Sequence, residues 1–542
     1  MTALSYTHGA SPTPLLGETI GDGLRRTVAR FPHREAFVDS AKGVRLTYRE
    51  LWDAVDRVAR GLMALGVGRG ERVGIWSPNR HEWLLVQFAT ARIGAILVNV
   101  NPAYKTAELG YTLRQAGVSL LIMAEGFRKT DYRPMIEEVR GACPELRRVI
   151  LFEDDWDELL ARAETVTPEA LRAREALLQF DDPINIQYTS GTTGRPKGAT
   201  LTHHNILNNG FFVGEALRYT ERDRVCIPVP YYHCFGMVVG NLACVTHGAC
   251  MVIPGESFDP EAVLATVEAE RCTSLYGVPT MFIAELNHER FDAYDLSSLR
   301  TGMMAGAPCP IETMREVMTR MHMPEVAIAY GMTETSPVST QTAPDDPVEK
   351  RVTTVGRVFP HVEIKIVDPE SGAVVPRGER GELCTRGYSV MRGYWDDEAA
   401  TREAIDEAGW IHSGDLAVMD EEGYVSIVGR IKEMIIRGGE NIYPREIEEY
   451  LMEHPGVEVA QVIGVPSEKY GEEVMAWIKT KPGVTLTAED LHAYCKGRIA
   501  TYKIPKYWKF VDAFPLTVTG KVQKFRMREI AVRELGLEPV TA

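Results

Sequence analysis

No Cys-x-x-Cys pair occurs in this sequence, and its nine cysteines are scattered and odd in number. A disulfide framework and a zinc ribbon are therefore excluded, and a reducing compartment with buried or inert thiols is expected. No basic region followed by an apolar run opens the chain, so MTALSYTHGASPTPLL is not read as a secretory signal. Long hydrophobic runs are missing as well. The most apolar stretch, 235–253, is broken by Asn241, Thr246, His247 and several glycines, too interrupted for a membrane span. Positive charge is in deficit. The net charge is −15, whereas nucleic-acid binders carry a basic footprint, so nucleic acid is not an expected partner. No internal repeat and no low-complexity segment is present. What remains is 45% hydrophobic and 25% charged residues over 542 positions. That is the composition of a soluble, cytoplasmic globular enzyme, with a length for roughly two to four domains.

The densest chemistry lies in YTSGTTGRPKG, 188–198. Thr189, Ser190, Thr192 and Thr193 carry hydroxyls, Gly191 and Gly194 carry no side chain, and Lys197 carries a cation. Glycines allow left-handed turns that aim consecutive N–H groups at an anion, and the hydroxyls and the lysine add donors for phosphate oxygens. The simplest ligand for this set is a polyphosphate. Taken for its glycines and threonines alone, the stretch would be an ordinary surface loop. It is not the P-loop of nucleoside triphosphatases, which needs Gly, four residues, then Gly-Lys-Ser/Thr. Counted from Gly191, Pro196 stands where the second glycine belongs and Gly198 where the hydroxyl belongs.

The part before this loop alternates helix and strand signals. Thr47 and Glu50 form a capping box for a helix that Gly66 ends, and a further helix spans 81–93 up to Gly94. Strands are expected at 72–76, 95–100 and 119–124, and helices at 23–31 and 107–115. Such alternation predicts a mostly parallel sheet covered by helices. After Arg430 the character changes to a Gly-rich loop at 437–445, a helix opened by Pro444, strands at 457–465 and 474–480 and a helix at 488–498. This is a small α+β unit.

Between and within these parts stand PVPYYHCFGM (228–237), GMMAGAP (302–308), YGMTETSP (330–337), WIHSGD (410–415), GRIKE (429–433) and PLTVTGKVQK (515–524). Singly each has a plain reading. The aromatic run packs in a core, Glu334 closes a turn, Arg430 lies on the surface, and Lys521 is a solvated turn residue. Together, in order, from Thr47 to Lys524, they resemble the adenylate-forming superfamily of acyl-CoA synthetases, peptide-synthetase adenylation domains and luciferases. The stretches 17–39 and 98–121 look most like bacterial medium-chain fatty acyl-CoA synthetases.

The resemblance implies an α/β fold. A large N-terminal domain, 1–431, has parallel and mixed sheets flanked by helices plus a β-barrel-like part. A small mobile α+β domain, 433–542, swings on a hinge at Lys432. It implies that Thr189, Ser190, Gly191, Thr192, Thr193, Gly194 and Lys197 hold ATP phosphates, and that Thr193 and Glu334 hold Mg²⁺. Gly306, Ala307, Pro308, Tyr330 and Gly331 would form the adenine pocket, with Asp415 and Arg430 on the ribose. His233 would sit beside the reacting carboxylate, Lys521 would be the catalytic lysine, and Gly438 and Gly439 would line the coenzyme A path. The expected partners are a carboxylic acid, ATP and coenzyme A, and a homodimer is compatible with this reading. Luciferases carry a further lysine where this chain has Ile436, which disfavours a luciferase-like oxidase. No carrier-protein signature follows, so free coenzyme A is the expected acceptor. An aryl-acid or amino-acid adenylating ligase is the alternative enzyme, and a non-catalytic nucleotide sensor the alternative of another class. Chain length of the acid is set by pocket-floor residues such as Val238, Gly240, Gly277, Met303 and Met304, whose packing sequence alone does not place.

Overall fold

Thr47 and Glu50 cap each other as their spacing dictates. The Glu50 N–H donates to the Thr47 hydroxyl at 3.3 Å and the Thr47 N–H to the Glu50 carboxylate at 2.8 Å. Such a cap stabilises the helix Tyr48–Ala64 by about 1 kcal/mol. Its apolar stripe, Leu51, Val55, Val58 and Leu62, is buried completely. These details come from a computed structural model that describes residues 3–189, 196–438, 440–517 and 521–537. The chain divides into two compact units: a larger one of residues 7–364 and 385–412, and a smaller one of residues 1–6, 365–384 and 413–542. Lys432 lies inside the smaller unit, because 413–431 and 365–384 group with the C-terminal part of the chain.

The larger unit is built on two mixed sheets. A seven-stranded sheet runs in the order Gly393–Tyr394, Lys197–Thr202, Pro183–Thr189, Ile96–Val100, Arg72–Trp76, Val118–Met123, Arg148–Leu151. The five strands from Pro183–Thr189 to Arg148–Leu151 are parallel, and the first two join antiparallel. Ile96–Val100 is buried at every position, as a strand covered on both faces must be. A nine-stranded sheet holds Ser274–Gly277, Thr301–Ala305 and Glu325–Gly331 as parallel neighbours, followed by the antiparallel strand Val338–Gln341. The helix His81–Ile93 ends on Gly94 at φ +72°. The first helix spans Ile20–Arg30, three residues earlier than its apolar spacing predicts, since Thr19 and Asp22 complete a second capping box.

In the smaller unit, Asp415–Met419 of the strand Ile411–Met419 pairs antiparallel with Val425–Arg430. A second sheet centres on the long hairpin Val457–Ser467 and Gly471–Thr480. Strand alternation divides its side chains between two cores. Ala460, Val462, Val474, Ala476 and Ile478 pack with the helices Pro444–Met452 and Ala488–Cys495. Ile463, Val465, Met475 and Trp477 pack with Met527 and Ala531 of the helix Lys524–Leu535. The helix expected over 488–498 stops at Cys495, where Gly497 turns left-handed at φ +75°. No helix among the described residues is long and apolar enough to cross a membrane.

Candidate active site

Two paired strands flank the phosphate-loop motif. Pro183–Thr189 pairs antiparallel with Lys197–Thr202, with Tyr188 opposite Gly198 and Thr189 opposite Lys197. Ser190, Gly191, Thr192, Thr193 and Gly194 lie outside the described residues. Gly198 has no room for a side chain: a Cβ would come within 2.9 Å of Ile186 Cγ2. The Lys197 ammonium stands 5.1 Å from the Tyr394 ring centroid and 4.0 Å from the exposed Glu403 carboxylate.

A second group of motif residues leaves the nine-stranded sheet at one edge. Thr301–Ala305 and Glu325–Gly331 are parallel, with Ala305 opposite Ala329. Gly306-Ala307-Pro308 and Tyr330-Gly331 therefore emerge side by side at the carboxyl ends, where open α/β sheets receive ligands. A Cβ on Gly331 would stand 1.7 Å from the Pro337 carbonyl oxygen, so only glycine fits that crossing. Glu334 follows in the single turn Thr333–Thr335 and is buried. Its Oε1 accepts the Tyr394 hydroxyl at 2.9 Å, and its carbonyl accepts the Met391 N–H at 2.8 Å.

Tyr394 thus joins the two motifs. It sits on Gly393–Tyr394, which pairs with Lys197–Thr202 through Ala199 opposite Tyr394. Its hydroxyl engages Glu334 and its ring faces Lys197. Burial, and then the Glu334 carboxylate, push its phenol far above the usual tyrosine range, so it remains a donor. Nothing in the residues around Tyr394 marks its role.

His233 opens a third segment. Its carbonyl accepts the N–H groups of Gly236 and Met237 at 3.1 and 3.0 Å, and its ring centroid lies 4.5 Å from that of Tyr232. A π-helix, Phe235–Leu242, follows at once. This geometry is rare and favours functional sites. Side-chain amides hold it: Gln87 donates to the Met237 carbonyl at 3.0 Å, and Asn99 and Gln187 donate to the Met237 sulfur at 3.2 and 3.0 Å. Burial, then the Glu334 charge, raise the Cys234 thiol far above its ordinary value.

The floor residues separate by strand alternation. Met303 lies opposite Tyr276 and Ala327, on the sheet face where the Tyr276 ring stacks on Phe235 and its hydroxyl donates to the Val239 carbonyl. Met304 packs on the other face with Leu275 and Ile328. A Cβ on Gly277 would meet Phe282 of that same core at 2.9 Å. Met304 and Gly277 therefore lie on the opposite sheet face from Met303. Gln341, opposite Ala329, shares Met303's face; both its amide atoms are buried without a hydrogen-bond partner among the described residues.

In the smaller unit, Asp415 and Arg430 are register partners on adjacent strands, and Arg430 Nε lies 2.9 Å from Asp415 Oδ1. Arg430 is half-exposed, so the pair contributes little to stability and serves to orient the buried carboxylate. Lys432 occupies the turn Ile431–Glu433. Gly438, at φ +60°, donates its N–H to the Tyr470 carbonyl at 2.8 Å between the strands Ile435–Arg437 and Glu440–Ile442. Gly439 lies outside the described residues. Lys521 is exposed, and its N–H donates to the Thr517 hydroxyl at 3.0 Å.

The same chain order appears in a known family. The family model described as "AMP-binding enzyme" matches residues 24–395, and that described as "AMP-binding enzyme C-terminal domain" matches residues 446–521. The chain belongs to the AMP-binding enzymes. Among similar proteins is YngI of Bacillus subtilis (strain 168), named an acyl-CoA synthetase, 51% identical over 96% of this chain and 99% of that one. A mitochondrial medium-chain acyl-CoA ligase of Danio rerio is 45% identical over 98% of this chain and 91% of its own. Among solved structures, ATP-bound MatB from Rhodopseudomonas palustris superposes with a TM-score of 0.83 at 31% identity, covering 94% of this chain and 99% of that one. An anthranilate CoA ligase in complex with anthranoyl-AMP gives a TM-score of 0.87 at 28% identity, over 97% and 99%.

In this AMP-binding enzyme the first family match takes in the paired strands, His233, Glu334 and Tyr394, and the second ends on Lys521. Asp415, Arg430, Lys432 and Gly438 fall between the two matches.

Proposed function

We propose that the acid this enzyme activates is a medium-chain fatty acid, in a reducing cytoplasmic compartment. The enzyme itself is an ATP-dependent acyl-CoA synthetase working in two steps. In the first, a carboxylate oxygen attacks the α-phosphorus, the bond to pyrophosphate breaks, and an acyl-AMP anhydride forms. In the second, the coenzyme A thiol attacks the acyl carbon and AMP leaves. A free carboxylate is a poor acyl donor because oxide is a poor leaving group, and the anhydride removes that obstacle.

The chain's own residues hold anions together and meet charge that builds on phosphate oxygens, which accounts for most of phosphoryl-transfer catalysis. Thr189 to Lys197 hold the β- and γ-phosphates. Gly306 to Pro308 with Tyr330 and Gly331 receive adenine, and Asp415 with Arg430 the ribose. His233 sits by the acid, Lys521 bridges carboxylate and α-phosphate, and Gly438 and Gly439 admit the thin pantetheine arm. The observation that supports this reading is the meeting of Lys197 and Glu334 on Tyr394.

Glu334 also fits a magnesium ion. It is a buried carboxylate with a hydroxyl donor on one oxygen and no ion-pair partner among the described residues, and hard cations take oxygen ligands. Held there with the Thr193 hydroxyl, Mg²⁺ would neutralise phosphate charge. Glu334→Gln is expected to raise the Mg²⁺ requirement and the KM for Mg·ATP, leaving the KM for the acid close to wild type, since an amide is a poorer hard-cation ligand. Magnesium titration of initial rates checks this; an unchanged titration reduces Glu334 to a turn residue.

The medium-chain assignment is supported by the full-length similarity to the Danio rerio ligase. Nine cysteines, eight of them buried and all free, support the reducing compartment. A panel of acids of increasing length, with an aryl acid included because of the anthranilate ligase neighbour, tests the substrate. The thioester yield is expected to peak at medium chain length. A peak at the aryl acid, or at very short acids, would contradict it.

A further inference from the structure

Backbone pairing holds the residues flanking Lys521 together. The Gln523 N–H donates to the Pro515 carbonyl at 2.8 Å, Leu516 bridges Val522, and the Thr517 N–H donates to the Lys521 carbonyl at 2.7 Å. The next residue, Lys524, begins the helix Lys524–Leu535 and turns its side chain inward, where only 17% of it is exposed. Its ammonium lies 2.7 Å from Glu448 Oε1 and 3.3 Å from Glu433 Oε2. Glu448, on the helix Pro444–Met452, is 6% exposed, and its Oε1 also accepts the Val462 N–H at 2.7 Å. Glu433 is the last residue of the turn Ile431–Glu433 and is 34% exposed. Burial alone would lower the Lys524 pKa, but the carboxylates of Glu448 and Glu433 outweigh it and hold the ammonium above its ordinary value. The Lys524 ammonium is therefore charged at neutral pH.

We propose that Lys524 is a positioning residue for Lys521: one buried cation fastens the residues beside Lys521 to Glu433, the residue that follows the hinge. Glu448 is the anchor, because a buried carboxylate without its cation is strongly unfavourable. Glu433 is the link, because it is partly solvated and sits next to Lys432. The backbone setting at Lys432 is thereby passed to Lys521 through two side chains rather than through the long intervening chain. This rests on the reading of Lys432 as hinge and Lys521 as the lysine of the first step.

Glu433→Ala cuts the link and leaves the Lys524–Glu448 pair in place, so the fold persists. In the full-length enzyme, acid-dependent ATP–pyrophosphate exchange is expected to fall by about 10- to 100-fold, as a misplaced catalytic group does. Transfer from a supplied acyl-adenylate to coenzyme A is expected to stay within about twofold of wild type, and the melting temperature to stay close to it. Combining Glu433→Ala with Lys521→Ala is expected to add nothing to the loss from Lys521→Ala alone, since the link acts only through that lysine. Equal losses in both half-reactions, no loss in exchange, or losses that multiply in the double variant would each overturn the inference. If Lys521→Ala alone leaves exchange intact, the underlying assignment of Lys521 fails, and the inference with it.

Discussion

Lys521→Ala is expected to lower acid-dependent ATP–pyrophosphate exchange by about 10²–10³-fold, the usual cost of deleting a charge-assisted contact made in the transition state. Transfer from supplied acyl-adenylate to coenzyme A is expected to remain largely intact. The asymmetry follows from where charge develops. In the role proposed for the first step, the ammonium would span two anions, the carboxylate and the α-phosphate, while the phosphorus is five-coordinate. In the second step the attacked atom is carbon and the leaving group is AMP. Because the interaction strengthens only in the transition state, the loss is expected in kcat with little change in the KM for ATP. Near-normal exchange in the variant would end the assignment.

The second large effect is expected at Lys432. Lys521 and the Gly438–Gly439 loop belong to the same unit, and both are assigned to act on one acyl carbon in successive steps. Rotation of that part of the chain between two states would resolve the conflict, with a few backbone dihedrals absorbing the change. Lys432 sits in a short turn that closes through the Met434 N–H on the Arg430 carbonyl at 3.1 Å. Proline at 432 fixes its own φ near −65° and drives Ile431 away from helical dihedrals. Lys432→Pro is therefore expected to hold the adenylating state. Pyrophosphate exchange should survive while thioester formation falls by about 10²-fold or more, the scale of a misplaced reacting group. Assays of both half-reactions on the purified, folded variant check this. Equal loss in both, or loss in neither, would remove the hinge.

Local signals were legible wherever local chemistry decides structure. The Thr47–Glu50 cap, the stop at Gly94 and the Pro444 helix start all appear where the residues place them. The start at Thr19 was harder to read, because glycines at 21 and 23 weaken the helical pattern. The π-helix Phe235–Leu242 was not legible: its apolar residues satisfy an α-helix equally, and the amides that hold it come from distant parts of the chain. Tyr394 escaped for the same reason. Its hydrogen bond to Glu334 crosses sixty positions of sequence and depends on strand pairing. Met303 and Met304 look alike as neighbours in sequence, and only the identity of the sheet face separates them.

The most direct measurement of the central claim is ATP–pyrophosphate exchange in the absence of coenzyme A, with and without a medium-chain fatty acid. The account predicts exchange that requires the acid, proceeds without the thiol, and yields AMP and thioester once coenzyme A is added. Exchange independent of the acid, a strict requirement for coenzyme A, or ADP as the nucleotide product would contradict it.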